Sequence, residues 1–502
     1  MRPLIPALAA FALISTGAAW VIAAPRLFEM TTPVPPEITT PPSVATPIGT
    51  LKFDDGFPSD DTVRLVYDNL DRQRAVEVFL DTLPGVSLVA MRRGLRQVGA
   101  VDGAIGIWQD LLDPRALLLT GNTESVYAVS WLDTRNGALV IESPPNVLGV
   151  IDDFWFRHVS DLGNTGPDKG QGGKFLLLPP DYDGAVPSGF FVLRSPTYNN
   201  FLIWRGFTVD GDPRPAVDNI KRHARIYSLT DVGSAPPSTF INLADRAFNT
   251  VPANDDSFFQ ELNEIIQAEP PQSFSAEILG MAASIGLARG KSFAPDTRLR
   301  RILSEAAAIG NATARVLAFA PRDAGAALYP DRQWRGAFLG NSYQWLQDGH
   351  RYLDARTGFF YAATVNTPAM VNATPGVGSQ YAVATRDGSG RWLDGDHRYR
   401  LHIAADVPVR DFWSVVVYDP QSRSLLQTDQ RFPSVNSLSP ALAKNEDGSV
   451  DVYFGPQPPP DHQHNWIQTI PGKGWFPIFR LYGPLKPWFD RSWKLADIER
   501  LD

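Results

Sequence analysis

The feature that most constrains the fold of this chain is a series of short apolar runs, each bounded by Gly, Pro, Asn or Asp. Runs of this length, rich in β-branched and aromatic residues, are typical of strands. They lie at 125–133, 138–142, 174–178, 190–194 and 201–207, and again at 380–387, 399–406, 413–419 and 450–455. Because no helical segment separates the runs within either group, we expect antiparallel pairing in sandwiches rather than βαβ units.

Two segments have helical periodicity instead. An apolar rhythm from Val63 to Leu83 follows Asp60-Asp61 and is ended by Pro84-Gly85, which predicts one capped amphipathic helix. Helical spacing returns between residues 250 and 320, where turn residues are scarce. We therefore predict a mainly β fold with a helical middle (α+β), built of two antiparallel β-sandwich or jelly-roll-like bodies. The predicted bounds are 51–250 for the N-terminal β-rich domain, 251–325 for the helical connecting segment and 326–502 for the C-terminal β-sandwich domain.

The N-terminus predicts the compartment. No charge occurs between Arg2 and Arg26, over a stretch long enough to cross a bilayer and with small residues suited to signal-peptide cleavage. We predict that residues 1–24 are a signal peptide or an N-terminal membrane anchor, and cleavage stays open. Proline-rich residues 25–50 predict an extended linker. Either alternative places the folded part in the periplasm or cell envelope.

Composition excludes several classes of function. The 46 basic and 54 acidic residues give a net charge of -8, which argues against a nucleic-acid partner. The chain has no Cys, so disulfides and thiolate metal sites are excluded. GLARGKS at 286–292 lacks the first glycine of a phosphate loop, and we predict no cofactor. His462 and His464 form an HxH pair without a third ligand at a telling spacing, so metal binding there stays open.

Candidate site residues gather at the entrance of the run at 125–133. Glu124 and Asn122 lie two positions apart, so an extended chain would turn both side chains to one face. Tyr127 is offset by an odd number of positions and joins them only if the chain bulges or turns near Thr123–Ser125. We predict Glu124 as a catalytic carboxylate, with Asn122 and Tyr127 as ligand-binding residues.

Three residues from other segments complete the predicted site. Arg205 is the cation expected to face this cluster, where it would bind a ligand carboxylate bidentately. Asp153 is the second candidate catalytic carboxylate, because a pair of carboxylates is the minimum for glycoside cleavage. Trp155, two residues further on, is predicted as a stacking wall. In the alternative interpretation, Glu124 and Arg205 form one structural ion pair and side chains fill the cleft.

Long motifs carry a family resemblance. The N-terminal body contains NTESVYAVSWLD and SPTYNNFLIWRGF, and the C-terminal body contains FWSVVVYD, NEDGSVDVYFGP and NWIQTIPGKGWFPIFRLYGP. These motifs resemble the paired bacterial domains of unknown function DUF1254 (N-terminal) and DUF1214 (C-terminal), over nearly the whole chain from residue 60 onward. The resemblance implies two β-sandwich bodies in an exported or envelope-associated protein, and it brings no settled activity, cofactor or catalytic residue.

One motif of the N-terminal body is rich in glycine. GNTGPDKGQGGK at 163–174 holds five Gly and the two lysines Lys169 and Lys174. Such a loop lets backbone amides approach an anionic or polar group, so Lys174 is predicted as a ligand-binding residue. A flexible hairpin tip is the alternative.

Together these patterns favour a protein that binds or modifies a small molecule or saccharide in an aromatic-lined cleft, with carboxylate acid/base hydrolysis as the candidate chemistry. The alternative is a non-catalytic structural or protein-interaction module of the envelope. The predicted partner is a small-molecule or saccharide ligand, without nucleic acid, and membrane contact is expected only through the N-terminal segment. Enzymatic activity and oligomeric state stay open.

Overall fold

The computed structural model describes residues 32–502, so the predicted signal peptide or anchor at 1–24 lies outside the described residues. The chain divides after Tyr67 into two compact units. The first contains an antiparallel meander and the start of a helix: β1 (Ser43–Thr46), β2 (Gly49–Asp54), β3 (Phe57–Pro58) and α1 (Asp60–Gln97). Ala45 pairs with Thr50 inside the predicted linker at 25–50, so less of that segment is extended spacer than the prolines predict.

Helix α1 continues through Pro84, so the prediction that it ends there is wrong. Its start is capped by Ser59, whose Oγ accepts a hydrogen bond from the Thr62 amide at 3.3 Å. A proline inside a helix costs about 3 kcal/mol through a lost hydrogen bond and a steric clash. Leu83 and Val86, on either side of the proline, are buried. Because burying each such side chain contributes about 1.5–3 kcal/mol, tertiary packing outweighs the cost.

In the second unit, the chain first builds an N-terminal sandwich. Its elements are β4 (Ile105–Ile107), β5 (Ala116–Leu117), β6 (Ser125–Asp133), β7 (Leu139–Ser143), β8 (Val147–Asp153), β9 (His158–Gly163), β10 (Gly173–Leu178), β11 (Phe191–Arg194), β12 (Asn199–Phe207), α2 (Arg214–His223), β13 (Arg225–Ser228), β14 (Phe240–Asn242) and β15 (Phe248–Asn249). A six-stranded sheet, in the order β14-β4-β6-β12-β8-β9, packs against a four-stranded sheet, β11-β10-β7-β13. All five predicted strands of this body are present.

Three helices follow: α3 (Ser257–Ala268), α4 (Ala276–Ser284) and α5 (Thr297–Phe319). Asp296 caps α5, since its Oδ1 accepts a hydrogen bond from the Leu299 amide at 2.8 Å. These elements confirm the predicted helical middle. Across residues 32–502, no helix combines the length and the apolar character that crossing a membrane requires.

A second sandwich completes the chain. Its elements are β16 (Arg335–Gly336), β17 (Leu346–Gln347), β18 (His350–Arg351), α6 (Leu353–Ala362), β19 (Ser379–Val383), β20 (Tyr399–Ile403), β21 (Val409–Tyr418), β22 (Ser434–Asn436), β23 (Val450–Gly455), β24 (Trp466–Gln468), β25 (Phe476–Pro484), α7 (Lys486–Phe489) and β26 (Ile498–Arg500). A five-stranded sheet, β16-β19-β25-β21-β22, packs against a four-stranded sheet, β24-β23-β20-β26. The fold is therefore mixed α+β with mainly antiparallel sheets, as predicted.

The larger sheet of each sandwich is buried on both faces. In β6, Val126 and Ala128 face the partner sheet, whereas Tyr127 and Val129 belong to a second core. That second core also holds side chains of α1, α3, α5 and α6, together with residues of β19, β21 and β25. The helices and the outer faces of both large sheets thus share one core, and the candidate site lies within it.

Candidate functional site

A cavity of about 140 Å³ lies inside this shared core. One wall comes from β6 and β12, where Tyr127 and Val129 stand beside Ile203 and Arg205. Alternate residues of a strand point to one face, which is why these four side chains share the wall. The opposite wall comes from the C-terminal sandwich, chiefly through Arg480 of β25. The rest of the lining is mainly aromatic and aliphatic.

Two arginines, Arg205 and Arg480, line this cavity. Arg480 is 5% exposed and donates hydrogen bonds to the Thr120 carbonyl and, at 2.8 Å, to the Tyr418 hydroxyl. Arg205 is partly buried and lies opposite Tyr127 in the β6–β12 register. Among residues 32–502 no hydrogen bond or ion pair reaches its guanidinium, whose carbon lies 5.8 Å from the ring centroid of Tyr482. One of the two cations therefore has no protein acceptor in the described part of the chain.

Glu124 does not line the cavity but lies near enough to Arg480 to interact with its charge, and it is 3% exposed. Its carboxylate accepts hydrogen bonds from the Thr123 hydroxyl at 2.5 Å and from the Ser414 hydroxyl at 3.3 Å. Burial raises the pKa of Glu124, against the lowering effect of the Thr123 hydrogen bond and of Arg480. Within residues 32–502 no ion pair joins Glu124 to Arg205, so the predicted structural pair is not formed.

Asn122 and Tyr127 do meet, although not by strand alternation. The strand begins only at Ser125, and Asn122 forms the turn before it. Asn122 Oδ1 accepts hydrogen bonds from the amides of Glu124 and Ser125, both at 3.1 Å, while the Asn122 amide donates to the Tyr127 hydroxyl at 3.3 Å. The turn near Thr123–Ser125, which the sequence required for Tyr127 to join the cluster, is therefore present.

Asp153 lies far from Glu124, so the two carboxylates form no catalytic pair. In the sheet register Asp153 pairs with Asn200 and Ser125 pairs with Phe207, at opposite ends of β12. Seven residues of strand span about 23 Å at 3.3 Å per residue. Glycosidase carboxylates lie only about 5–10 Å apart. The proposed glycoside chemistry is wrong for this pair.

Asp153 and Trp155 have structural partners of their own. Asp153 accepts a hydrogen bond from Arg157 Nε at 2.7 Å and one from the Trp155 amide at 2.8 Å. Burial nonetheless raises the pKa of the Asp153 carboxyl. The Trp155 ring stacks on Phe274 with centroids 3.8 Å apart, and its Nε1 donates to Ser273. Trp155 therefore packs against the helical segment rather than lining the cavity.

Lys174 is also separate from the cavity, although Thr165 of the glycine-rich loop lines it. Lys174 lies on the four-stranded sheet, where its ammonium pairs with Glu142 at 3.1 Å. Within the loop, Asp168 Oδ1 accepts a hydrogen bond from the Gly163 amide at 2.7 Å. The anionic group that the loop amides were predicted to bind is thus the carboxylate of Asp168 in the same loop.

A second polar group borders the cavity at Asp161. The Asp161 carboxylate accepts a hydrogen bond from the Thr367 hydroxyl at 2.5 Å and lies 3.2 Å from His158 Nε2. Nearby, Asp152 is fully buried, and within residues 32–502 one of its carboxyl oxygens accepts a hydrogen bond only from the Asn366 amide, at 3.1 Å. Burial, with a further contribution from the carboxylates of Asp153 and Asp161, raises the pKa of Asp152 well above its ordinary value.

Arg480 and its hydrogen-bond partner Tyr418 are the residues of the candidate site that the sequence did not predict. The segment FPIFRLYGP at 476–484 alternates, with Phe476, Ile478, Arg480 and Tyr482 on one face of β25. The sequence did indicate Arg480, because it is an arginine within an otherwise apolar strand. Arginine is almost never fully buried unless it has a partner.

The HxH pair adds no metal centre that the structure supports. No group of three or more His, Asp or Glu side chains suited to a metal ion occurs within residues 32–502. The His462 ring instead lies 4.8 Å from that of Tyr453.

Fold and site together define the class: two β-sandwiches joined by helices around an internal, mostly apolar cavity with arginines in its wall. Residues 103–228 match the family model of DUF1254 and residues 378–486 match that of DUF1214, each described as a protein of unknown function. The chain thus carries both domains, in the order that the resemblance implied.

One solved structure has a similar fold over most of the chain, and a second match is weaker. The VPA0106 protein from Vibrio parahaemolyticus is 17% identical, with a TM-score of 0.53, covering 86% of this chain and 100% of that one. An uncharacterized protein from Burkholderia cenocepacia is 14% identical with a TM-score of 0.35, covering 87% of this chain and 95% of that one. The search of curated proteins found no match. At these identities the likeness to VPA0106 concerns the fold alone.

Proposed function

We propose that this protein binds a small, largely apolar organic molecule in the cavity of the shared core. The observation that carries the proposal is the cavity itself, about 140 Å³ in volume and lined mainly by aromatic and aliphatic side chains. An engineered apolar cavity of about 150 Å³ holds a benzene molecule. Ligand pockets typically combine such a lining with a few polar groups that orient the ligand. Arg205, Arg480 and Asp161 are the charged groups available for that role.

The lining favours a ring compound over a saccharide. A sugar presents hydroxyls around its whole circumference, and each would need a hydrogen-bonding partner once it left water. Most of this wall offers none, because Val129, Phe201, Ile203 and Ile478 are apolar. The proposal is one of binding, and it includes no hydrolysis by Glu124 and Asp153.

The test is a thermal-shift and calorimetric titration of the full chain with benzene and indole. A ligand at 100 times its dissociation constant stabilises the folded state by about 2.7 kcal/mol. In Val129→Phe an extra ring would occupy the cavity, so binding should be lost while the protein stays folded. Val192→Phe, on the exposed edge strand β11, serves as the control and should bind like the natural chain.

Two results would overturn the proposal. One is no stabilisation by either compound. The other is equal binding by Val129→Phe and the natural chain, which would place the ligand elsewhere. Recovery of a protein partner together with no binding of either compound would favour the non-catalytic interaction module instead.

We also propose that the protein is exported to the periplasm or cell envelope. The uncharged stretch between Arg2 and Arg26 supports this location. Fractionation of the native host followed by mass measurement of the mature chain tests it. A protein found only in the cytoplasmic fraction, with an intact N-terminus, would contradict the proposal.

A further inference from the structure

The side chain of Arg205 identifies the class of ligand more closely than the cavity volume does. Arg205 lies within β12, which pairs with β6 on one side and with β8 on the other, in a sheet that is buried on both faces. Its neighbours across the sheet are Tyr127 on one side and Leu148 on the other. The guanidinium is therefore held by a rigid element at the cavity wall, which favours precise recognition over a mobile loop contact.

No acidic side chain in the described part of the chain neutralises this guanidinium. Glu124 is held by hydroxyl groups behind the wall and pairs with neither arginine. Asp161, the carboxylate that does border the cavity, is engaged by Thr367 and His158. Arg480 has acceptors in Thr120 and Tyr418. The cavity wall thus has an excess of positive charge. Among residues 32–502, Arg205 is the cation of this wall without any hydrogen-bond acceptor, whereas Arg480 lacks one at its Nε.

A partly buried arginine without a hydrogen-bond acceptor is poorly compensated, because in the described part of the chain its guanidinium gains only the ring of Tyr482 and its Nε is buried without a partner. A bound carboxylate would restore both the charge balance and the hydrogen bonds, since the planar guanidinium matches a carboxylate with two parallel bonds. The cavity volume of about 140 Å³ is close to that of a cavity that holds one benzene ring. These requirements together describe a small ring compound that carries one carboxylate.

Building on the proposed function, we propose that the ligand of this cavity is a small aromatic carboxylate whose carboxylate pairs with the guanidinium of Arg205. Its ring lies among the apolar side chains of β6, β12 and β25. Benzoate is the simplest probe of this class. Benzamide is its neutral counterpart of nearly the same shape.

The experiment compares benzoate and benzamide by calorimetry on the full chain at pH 7. Benzoate should bind at least about tenfold more tightly, because charge-assisted hydrogen bonds are about twice as strong as neutral ones. Arg205→Met keeps a long apolar stem without the charge and should remove this preference. Arg194→Met, on the exposed edge strand β11, is the matched control and should keep it.

Each outcome decides one of the two proposals. Equal affinity of benzoate and benzamide in the natural chain would overturn the carboxylate assignment and leave the cavity as a neutral-ligand site. A benzoate preference that persists in Arg205→Met would assign the anion to a different residue and overturn the role of Arg205. If Arg205→Met fails to fold, Arg205→Lys replaces it as the test, because it retains the charge without the planar fork. Its preference for benzoate over benzamide should be smaller than that of the natural chain but not absent. Failure of benzene, indole, benzoate and benzamide alike would refute the proposed function, and this inference with it.

Discussion

Replacing Asp152 with Asn should make the stability of this protein less dependent on pH. Asp152 is fully buried, and among residues 32–502 one of its carboxyl oxygens accepts a single hydrogen bond while the other has no partner. Burial disfavours the ionised form, and neighbouring Asp153 and Asp161 disfavour it further. The pKa of Asp152 is therefore well above its ordinary value in the folded protein.

The direction of the pH effect follows from proton linkage. Because the folded state holds this proton to a higher pH than the unfolded state, the unfolding free energy decreases as pH rises above the unfolded pKa of about 3.9. It continues to decrease until the folded pKa is passed, by at most about 1.4 kcal/mol per pH unit for one group. Asp152→Asn lacks this titration. The variant should match the natural chain near pH 4 and exceed its stability at pH 7–8.

Equilibrium urea unfolding, followed by tryptophan fluorescence at pH 4 to 8, measures this difference. The control is Asp183→Asn, which changes an exposed carboxylate and should leave the pH profile unaltered. Parallel pH profiles for Asp152→Asn and the natural chain would refute the reasoning. So would a variant that is less stable than the natural chain at neutral pH, because the buried carboxylate would then be stabilised by its surroundings.

Three further tests use four substitutions to probe the packing and the polar groups in and around the shared core, each measured by urea unfolding. Gly94→Ala should destabilise by about 1–3 kcal/mol because its Cβ would overlap a backbone oxygen. At Gly280 an added Cβ meets no atom within 4 Å, so Gly280→Ala should stabilise by about 0.5–1 kcal/mol. Effects of the same sign for both substitutions would contradict this reasoning. Arg356→Met leaves Asp81 without its ion-pair partner and should cost about 3 kcal/mol, and a loss below about 1 kcal/mol would mean that the pair behaves as a surface pair. Glu124→Gln should cost less than about 1 kcal/mol, because burial already raises the pKa of this carboxyl and hydroxyl groups hold it; a loss of several kcal/mol would show that the site requires the negative charge.

Local patterns predicted much of the fold. Strands such as Ser125–Asp133 follow their apolar runs residue for residue, because β-branched and aromatic content and the bounding turn residues are properties of the segment itself. Pro84 was misread because the cost of a proline in a helix is local, whereas the burial that outweighs it comes from distant parts of the chain. The site residues divide in the same way: those set by the local sequence were predicted, and those that depend on packing between distant segments were not.

The sequence predicted only the part of the candidate site that lies within the N-terminal sandwich. Tyr127 and Arg205 lie opposite each other because β6 and β12 pair within the N-terminal sandwich. Arg480 lies across the cavity, 275 positions further along the chain than Arg205, and no spacing rule connects the two. Asp153 illustrates the reverse error. Its partner Arg157 is only four residues away, so the sequence favours a local ion pair over a catalytic role.

The burial of both large sheets on two faces has a consequence for how this protein can be divided. The segment that matches DUF1254, residues 103–228, includes β6 and β12, whose side chains at Tyr127, Val129 and Ile203 belong to the shared core. Expressed alone, it would present that apolar face to water, and a sheet surface of this kind promotes aggregation. The two family segments are therefore units of sequence but not of cooperative folding, and a gene fusion or truncation between them would separate halves that stabilise each other.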